Sequence, residues 1–450
     1  MTRTLVALAA AVLAAGARAQ TEAPTIPAPP PSDQATPPAA TSAPLATPKK
    51  EEKKPKGTFV IGSKSEISIN GRAWAEVNNV RATAGSAAAA KSVKPVNRVS
   101  SNSSYLRVRG ERDLDGGWKA FAQLEAEFGL EGEAGTPYAS TRNTGVGLST
   151  PYGDLTLGKW DSPTKETTIG LDPFVGTGIF GYYNVFTAYR ADRRLNNALL
   201  YQSPSVGGFT LLAAGSLGEA TYAKKTTTVT VGTAPDTVKV SSTSTGTIAV
   251  NPYTASAALH YRNGGLYAGV SYEYRNDCAN PDADAPAGPS CDRAVLGTDA
   301  QPNGVDQGVR VGASYVIKGT FTRLAGLYEH ISLKANATAT AQEKTLARDA
   351  YWGSITQGIF GERHQLILDY GLASSYSGKN IGTTAKTGGQ TFTAAYRLNL
   401  DKDLMVYLAF AQIINEDNQT QKFGSGGVPG FSAPAGSTVT GFGGGVRYMF

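Results

Sequence analysis

Charged side chains recur at a spacing of two in the first third of the sequence. Arg72 and Glu76 keep this step, as do Arg107, Arg109 and Glu111, then Lys119, Gln123, Glu125 and Glu127. In an extended chain alternate residues share a face, so these groups form a row of cations and carboxylates. Such a row makes and breaks no bonds; it sets up a field that attracts or repels ions. Groups for covalent chemistry are not arranged to act together. His260, His330 and His364 are dispersed, and there is no GxSxG, HExxH or phosphate-binding glycine loop. No enzymatic activity, cofactor or metal site is expected. Cys278 and Cys291 bracket CANPDADAPAGPSC, a stretch rich in proline and aspartate. In an exported chain they are most simply a local disulfide, worth about 3 kcal/mol against the open chain. The aspartates around them (Asp277, Asp282, Asp284, Asp292) match no dedicated calcium loop.

The elements that carry the charged row read as strands. Ser68, Asn70, Arg72, Trp74 and Glu76 alternate with Ile67, Ile69, Ala73, Ala75 and Val77. Leu106 and Val108 stand between the arginines, and Ala120, Leu124 and Phe128 between the residues of the next strand. The last ten residues, GFGGGVRYMF, alternate in the same way, with Phe442, Val446, Tyr448 and Phe450 on one face. One apolar and one wet face suit a strand between lipid and an aqueous lumen. Val446, Tyr448 and Phe450 are the candidate terminal assembly signal.

Turn chemistry gives the strand count. Short links stand at Asp113–Gly117, Pro151–Gly153, Pro204–Gly207, Asn263–Gly264, Lys318–Gly319, Gly361–Glu362 and Asn399–Lys402. Between them lie long segments at 78–103, 129–141, 161–194, 216–252, 276–306, 334–348, 375–388 and 415–436. Seven short turns alternating with eight long loops require sixteen strands, with both ends of the sheet on the short-turn side. Closure of an even-stranded sheet leaves no unpaired edge in lipid. The fold class is therefore all-β, a 16-stranded antiparallel transmembrane β-barrel. Tyr105, Tyr272, Tyr274, Tyr351, Trp352 and Tyr396 are candidates for an interfacial aromatic belt.

The remaining regions flank the barrel. Arg3, the apolar run Leu5–Ala15 and Ala17-Arg18-Ala19 read as a secretory signal over 1–19. Residues 20–56, rich in Pro, Ala and Thr and closed by KKEEKKPKG, read as a disordered periplasmic tether. The barrel domain is then 57–450. Losing Arg3 and Arg18 with the signal lowers the formal charge from +6 to +4, too slight a bias for nucleic-acid binding.

Several segments together resemble the general diffusion porins of Gram-negative bacteria, of the proteobacterial trimeric type. They are SYLRVRGERDLDGGWKAFAQLEAEF (104–128), NTGVGLSTPYGDLTLGKWDSP, RRLNNALLYQSPSVGGFTLLAA, AYRLNLDKDLMVYLAFAQIIN and the terminal GVRYMF. The likeness covers about 60–450, and the long N-terminal tether departs from it. It implies a third loop folded into the barrel, here 161–194, with Asp172-Pro173-Phe174 at a recurrent tripeptide of the family. The loop's own composition agrees: glycines are mixed with Phe174, Ile179, Phe180, Tyr182, Tyr183 and Phe186, more apolar residues than a surface loop needs. Glu166, Asp172 and, near its end, Asp192 are its acidic candidates.

The resemblance also implies a basic ladder on the wall opposite that loop. Strand parity places Arg72, Arg107, Arg109 and Lys119 there. The family pattern adds Arg142 and Lys159, which simple alternation puts in phase with outward leucines unless a bulge intervenes. The competing expectation is that these cations pair with Glu111, Glu125 and Glu127. The function implied is an outer-membrane porin, a water-filled channel for passive diffusion of small hydrophilic solutes and ions with a slight anion preference. A substrate-specific channel for anionic or sugar solutes is the alternative. The partners implied are two further copies in a homotrimer, outer-membrane lipid and lipopolysaccharide, and the barrel-assembly machinery.

Overall fold

The computed structural model describes residues 57–86, 92–130, 138–174, 178–181, 193–217, 220–223, 229–231, 238–240, 247–250, 253–276, 304–335, 344–380, 385–423 and 431–450. Sixteen antiparallel staves close on themselves. The first half is β1 (Ser65–Ala82), β2 (Val93–Ser101 and Tyr105–Asp113), β3 (Lys119–Phe128), β4 (Tyr138–Thr141 and Thr144–Thr150), β5 (Gly153–Asp161), β6 (Arg194–Gln202), β7 (Phe209–Leu217) and β8 (Tyr253–Asn263). The second half is β9 (Leu266–Asn276), β10 (Gly304–Ile317), β11 (Thr322–Ala335), β12 (Lys344–Gly358), β13 (His364–Ala373), β14 (Gly389–Asn399), β15 (Leu404–Asn415) and β16 (Thr438–Met449). Each stave pairs with its sequence neighbours, and β16 returns to β1 from Arg72↔Met449 to Ala82↔Val439. A short strand, Thr58–Ile61, also pairs with the start of β1.

All seven short links fall between consecutive staves, as the turn residues predict. The segment 78–103 departs from expectation. β1 runs on to Ala82 and β2 begins at Val93, so most of the expected loop is sheet. Polar residues there are paired: Asn79 donates to Asn97 at 2.6 Å, and Asn78 donates to Glu76 at 2.9 Å.

Exposure alternates along the staves. Val77, Leu124, Leu157, Leu199, Leu368, Leu408 and Phe442 belong to an exposed apolar set that faces lipid. Their neighbours form a buried inner set that includes Arg72, Glu125, Ser256, Arg310, Glu329 and Tyr407. Tyr272, Tyr351 and Tyr396 belong to the exposed set. Tyr105 and Trp352 do not belong to the belt. Tyr105 shares the face of Arg107, and Trp352, 6% exposed, is in phase with Arg348 and Ala350.

A hydrophobic cluster builds on inner-set residues of β1, β9 and β11–β16, among them Trp74, Tyr267, Leu327, Trp352, Ile367, Met405, Tyr407 and Ile413. Leu171, Phe174, Ile179 and Phe180 of the β5–β6 connection complete it, with Phe423 and Phe431 from the connection before β16.

Candidate functional site

The inner faces of β2–β4 carry the charged row, and Arg107, Arg109, Lys119 and Arg142 on it each have a carboxylate partner. Arg107 lies 2.6 Å from Glu125, Arg109 2.6 Å from Glu111, and Lys119 2.8 Å from Glu111. Arg142 reaches Glu125 at 2.6 Å and Glu127 at 3.0 Å. Cross-strand register makes the first of these contacts, since Arg107 is opposite Glu125. Arg109 additionally lies 4.0 Å from the Phe121 ring centroid. Pairing of this kind neutralises the row while leaving it polar.

Arg142 reaches the inner face through a bulge. β3 pairs with β4 as Ala126↔Thr141 on one side of the irregularity and Gln123↔Gly145 on the other, so one extra residue sits between. Lys159 occupies a second irregularity, where the β5–β6 register shifts between Gly158 and Trp160. Gly158 has φ 144°, and a Cβ there would stand 2.4 Å from the Thr144 carbonyl oxygen. Only glycine fits that close approach.

Among the described residues Arg72 lies in no ion pair; its guanidinium donates to the Ser103 carbonyl at 2.8 Å. It lies 5.3 Å from the Tyr105 ring centroid, which Arg107 and Arg142 also approach, at 5.4 and 5.1 Å. Three guanidiniums thus gather around one tyrosine, a role the residue's position near a strand end did not reveal.

The β5–β6 connection begins with α1 (Pro163–Glu166), a single turn. Ser162 caps it by accepting from the Lys165 amide at 3.1 Å, and proline takes the first helical position. Inner-set side chains then hold the connection. Thr164 and Ser256 hydroxyls are 3.0 Å apart, Thr167 is 3.1 Å from His260 Nε2, and Tyr267 donates to the Thr167 carbonyl at 2.7 Å. Arg310, wholly buried, donates to Glu329 at 2.9 Å and to Thr168 at 3.2 Å. Further on, Arg323 donates to the Gly170 carbonyl, and Arg397 to the Pro173 carbonyl at 3.0 Å.

Asp172 is buried and accepts from the Phe174 amide at 2.7 Å, which tightens the Asp-Pro-Phe turn. Phe174 then meets Tyr407 at 5.3 Å between centroids and Phe180 at 5.8 Å. Tyr407 donates to Glu76 at 2.6 Å and accepts from the Trp74 indole at 3.0 Å. Asn78 and Asn102 also donate to Glu76. This network ties the aromatic seat of the connection to β1 and β2, and nothing in strand alternation announces it.

Glu166 is half-buried and lines a recess with Arg107, Arg109, Asp154 and Asp161. Burial, and after it the Asp161 carboxylate, push its carboxyl up to about 8. Asp161 itself lies between Lys165 (2.8 Å) and Arg194 (3.2 Å). Val446, Tyr448 and Phe450 are all partly exposed on the outer face, Tyr448 and Phe450 with centroids 6.0 Å apart. Asp192, Cys278 and Cys291 lie outside the described residues.

A closed sixteen-stave barrel with an apolar exterior and a charged interior defines a channel of the outer membrane. Over residues 5–418 the chain matches the Gram-negative porin family, and it belongs to that family. Outer membrane porin protein 32 of Delftia acidovorans is 28% identical over 356 residues, covering 78% of this chain and 85% of the relative. The structure of the anion-selective porin from Comamonas acidovorans has a TM-score of 0.61 at 22% identity, over 86% of this chain and 100% of the other. The trimer form of OmpT from Vibrio cholerae reaches 0.56 at 14% identity, over 86% and 100%. At these identities the two structures attest the fold alone. The protein is an outer-membrane porin, a diffusion channel rather than a catalyst.

Proposed function

We propose that this porin passes small hydrophilic solutes and ions through a water-filled lumen constricted by the β5–β6 connection, with a slight preference for anions. The observation that carries the constriction is the set of contacts that connection makes. Its backbone and hydroxyls bind inner-set residues of β8–β11, and Phe174 and Phe180 meet Tyr407 of β15 edge to face. A loop held by inner-set residues on opposite walls lies across the lumen. The anion preference is our analogy with the anion-selective porin whose fold this chain shares. The aromatic cluster is buried beneath the loop rather than displayed along a path, which favours general diffusion over a channel built for one sugar.

The same reading takes 1–19 as the export signal, 20–56 as a periplasmic tether, and the short turns as periplasmic. It takes the working unit as a homotrimer and Cys278–Cys291 as a loop disulfide. Small outward residues (Ala73, Ala75, Ala120, Ala122, Ala126) would let barrels approach closely. Single-channel recording in a planar bilayer under a salt gradient tests the reading. Ohmic steps in threes with a mildly anion-favouring reversal potential are expected. Small saturable currents blocked by one solute class would replace it with a specific channel.

A further inference from the structure

Five inner-face arginines lie outside the ion pairs of the row on β2–β4. They are Arg262 of β8, Arg323 of β11, Arg397 of β14 and Arg447 of β16, each near the short-turn end of its stave, and Arg72 in the middle of β1. Among the described residues none of the five lies in an ion pair. Their hydrogen bonds go instead to neutral acceptors: Arg72 to the Ser103 carbonyl, Arg323 to Gly170, and Arg397 to Pro173 and to the Gln365 amide oxygen at 2.8 Å. Arg262 lies over the Tyr267 ring at 4.4 Å and Arg447 over Trp74 at 5.4 Å. Carbonyls, amides and rings satisfy a guanidinium's donors without cancelling its charge.

The five form a continuous arc. Arg447 is near enough to repel both Arg72 and Arg397, Arg397 is likewise near Arg323, and Arg323 near Arg262. The acidic groups that face them are Asp172, beside Arg323 and Arg397, Asp369, beside Arg397, and Glu166, beside Arg262. Glu125 reaches Arg72 but is already shared by Arg107 and Arg142. Cations therefore outnumber carboxylates along the arc, whereas the row on β2–β4 is balanced: Arg107, Arg109, Lys119 and Arg142 face Glu111, Asp113, Glu125 and Glu127.

We propose that this arc, and not the paired row, sets the charge selectivity of the channel, and that it favours small anions carrying several carboxylates or a phosphate. The proposal rests on the diffusion-channel reading above. Arg262, at one end of the arc, is exposed and Arg447 partly so, which opens these two to lumen water; Arg72 at the other end is buried, and the β5–β6 connection contacts Arg323 and Arg397 between them. Uncancelled charges in series along one wall attract a multivalent anion more strongly than chloride, because each charge on the solute meets the same field. Guanidinium forks also match carboxylate and phosphate oxygens.

The experiment measures reversal potential in a potassium chloride gradient, and block of the chloride current by citrate, on the full-length porin in planar bilayers. Three proteins are compared: wild type, the R262Q/R447Q double variant, and R109Q/E111Q, which removes one cation and one anion from the paired row. In R262Q/R447Q the chloride-to-potassium permeability ratio should fall about twofold for each charge removed, as expected for an ion passing roughly 8 Å away in water. Citrate block should weaken more than that, and R109Q/E111Q should leave both readings in place. R262K/R447K should keep the permeability ratio and lose part of the citrate block. An unchanged ratio in R262Q/R447Q, or an equal fall in R109Q/E111Q, overturns the proposal. Heat-modifiable migration on gels confirms that each variant is folded, and R262Q alone, at an exposed site, serves if the double variant is not. A wild-type reversal at zero would sink the anion preference proposed above. The variant-minus-wild-type shift would still report on the arc.

Discussion

The two walls of this barrel obey the same alternation and solve opposite problems. On β2–β4 the inner set is charged, and ion pairs plus lumen water satisfy it. On β11–β16 and β1 much of the inner set is apolar, and two connections supply the side chains that cover it. An inner apolar wall would expose oil-like surface to the channel if those connections left. The difference teaches that loop position in this porin is held by burial, whereas wall polarity is held by charge balance.

The covered wall should break first. Phe174→Ala removes a wholly buried ring that touches Tyr407 and Phe180, a loss of about 3 kcal/mol in the seating of the connection. Larger and noisier single-channel conductance is expected, and conductance equal to wild type would refute the seating. On the paired wall, Glu125→Gln strands Arg107 and Arg142 together. With water nearby the cost is about 2 kcal/mol, read as a lower unfolding midpoint in heated detergent, together with a stronger anion preference.

Tyr407→Phe keeps the edge-to-face ring contacts and removes only the hydroxyl between Trp74 and Glu76, so a loss of about 1 kcal/mol with unchanged conductance is expected. A conductance change as large as that of Phe174→Ala would show that the polar network, not the ring, seats the connection. A pH titration gives a smaller effect. With the Glu166 carboxyl raised from 4.5 to about 8, its seated form holds the proton more tightly than a solvated glutamate does. Seating is thus unpenalised below 4.5 and weakens as pH rises through about 8, while negative charge appears opposite Arg107 and Arg109. Anion preference should decline across that window and stay flat in Glu166→Gln. Lys386→Ala, at an exposed pair with Asp417, should change neither stability nor selectivity measurably.

Turn residues and alternation made the stave count legible, because Gly, Pro, Asn and Asp at the seven short links have local causes. Parity likewise put Arg72, Arg107, Arg109 and Lys119 on one face. The pairing of β2 with β3 sets Glu125 opposite Arg107 and brings Glu111 to both Arg109 and Lys119. Other features needed register. Arg142 and Lys159 sit at irregularities that shift the phase of their strands, which composition does not mark. LMVYLAFAQIIN of β15 is apolar on both faces, so its sequence could not show that Met405, Tyr407 and Ile413 turn inward. The arginine arc is assembled from residues on five separate staves, and only closure of β16 on β1 brings Arg72 near Arg447.

That closure has a consequence for how the gene could be rearranged. The Gly71 amide donates to the Phe450 carbonyl at 2.8 Å, and the Ile69 amide to the Gly57 carbonyl at 3.0 Å. Phe450 and Gly57 therefore follow one another along the same edge of β1, about 7 Å apart at the strand rise per residue. The short strand Thr58–Ile61 runs in the same direction as β16, so a linker of one or two residues would fuse them into one continuous strand. The opening in the covalent ring could then move to any of the short turns, and a permuted chain begun at Gly264 should still close.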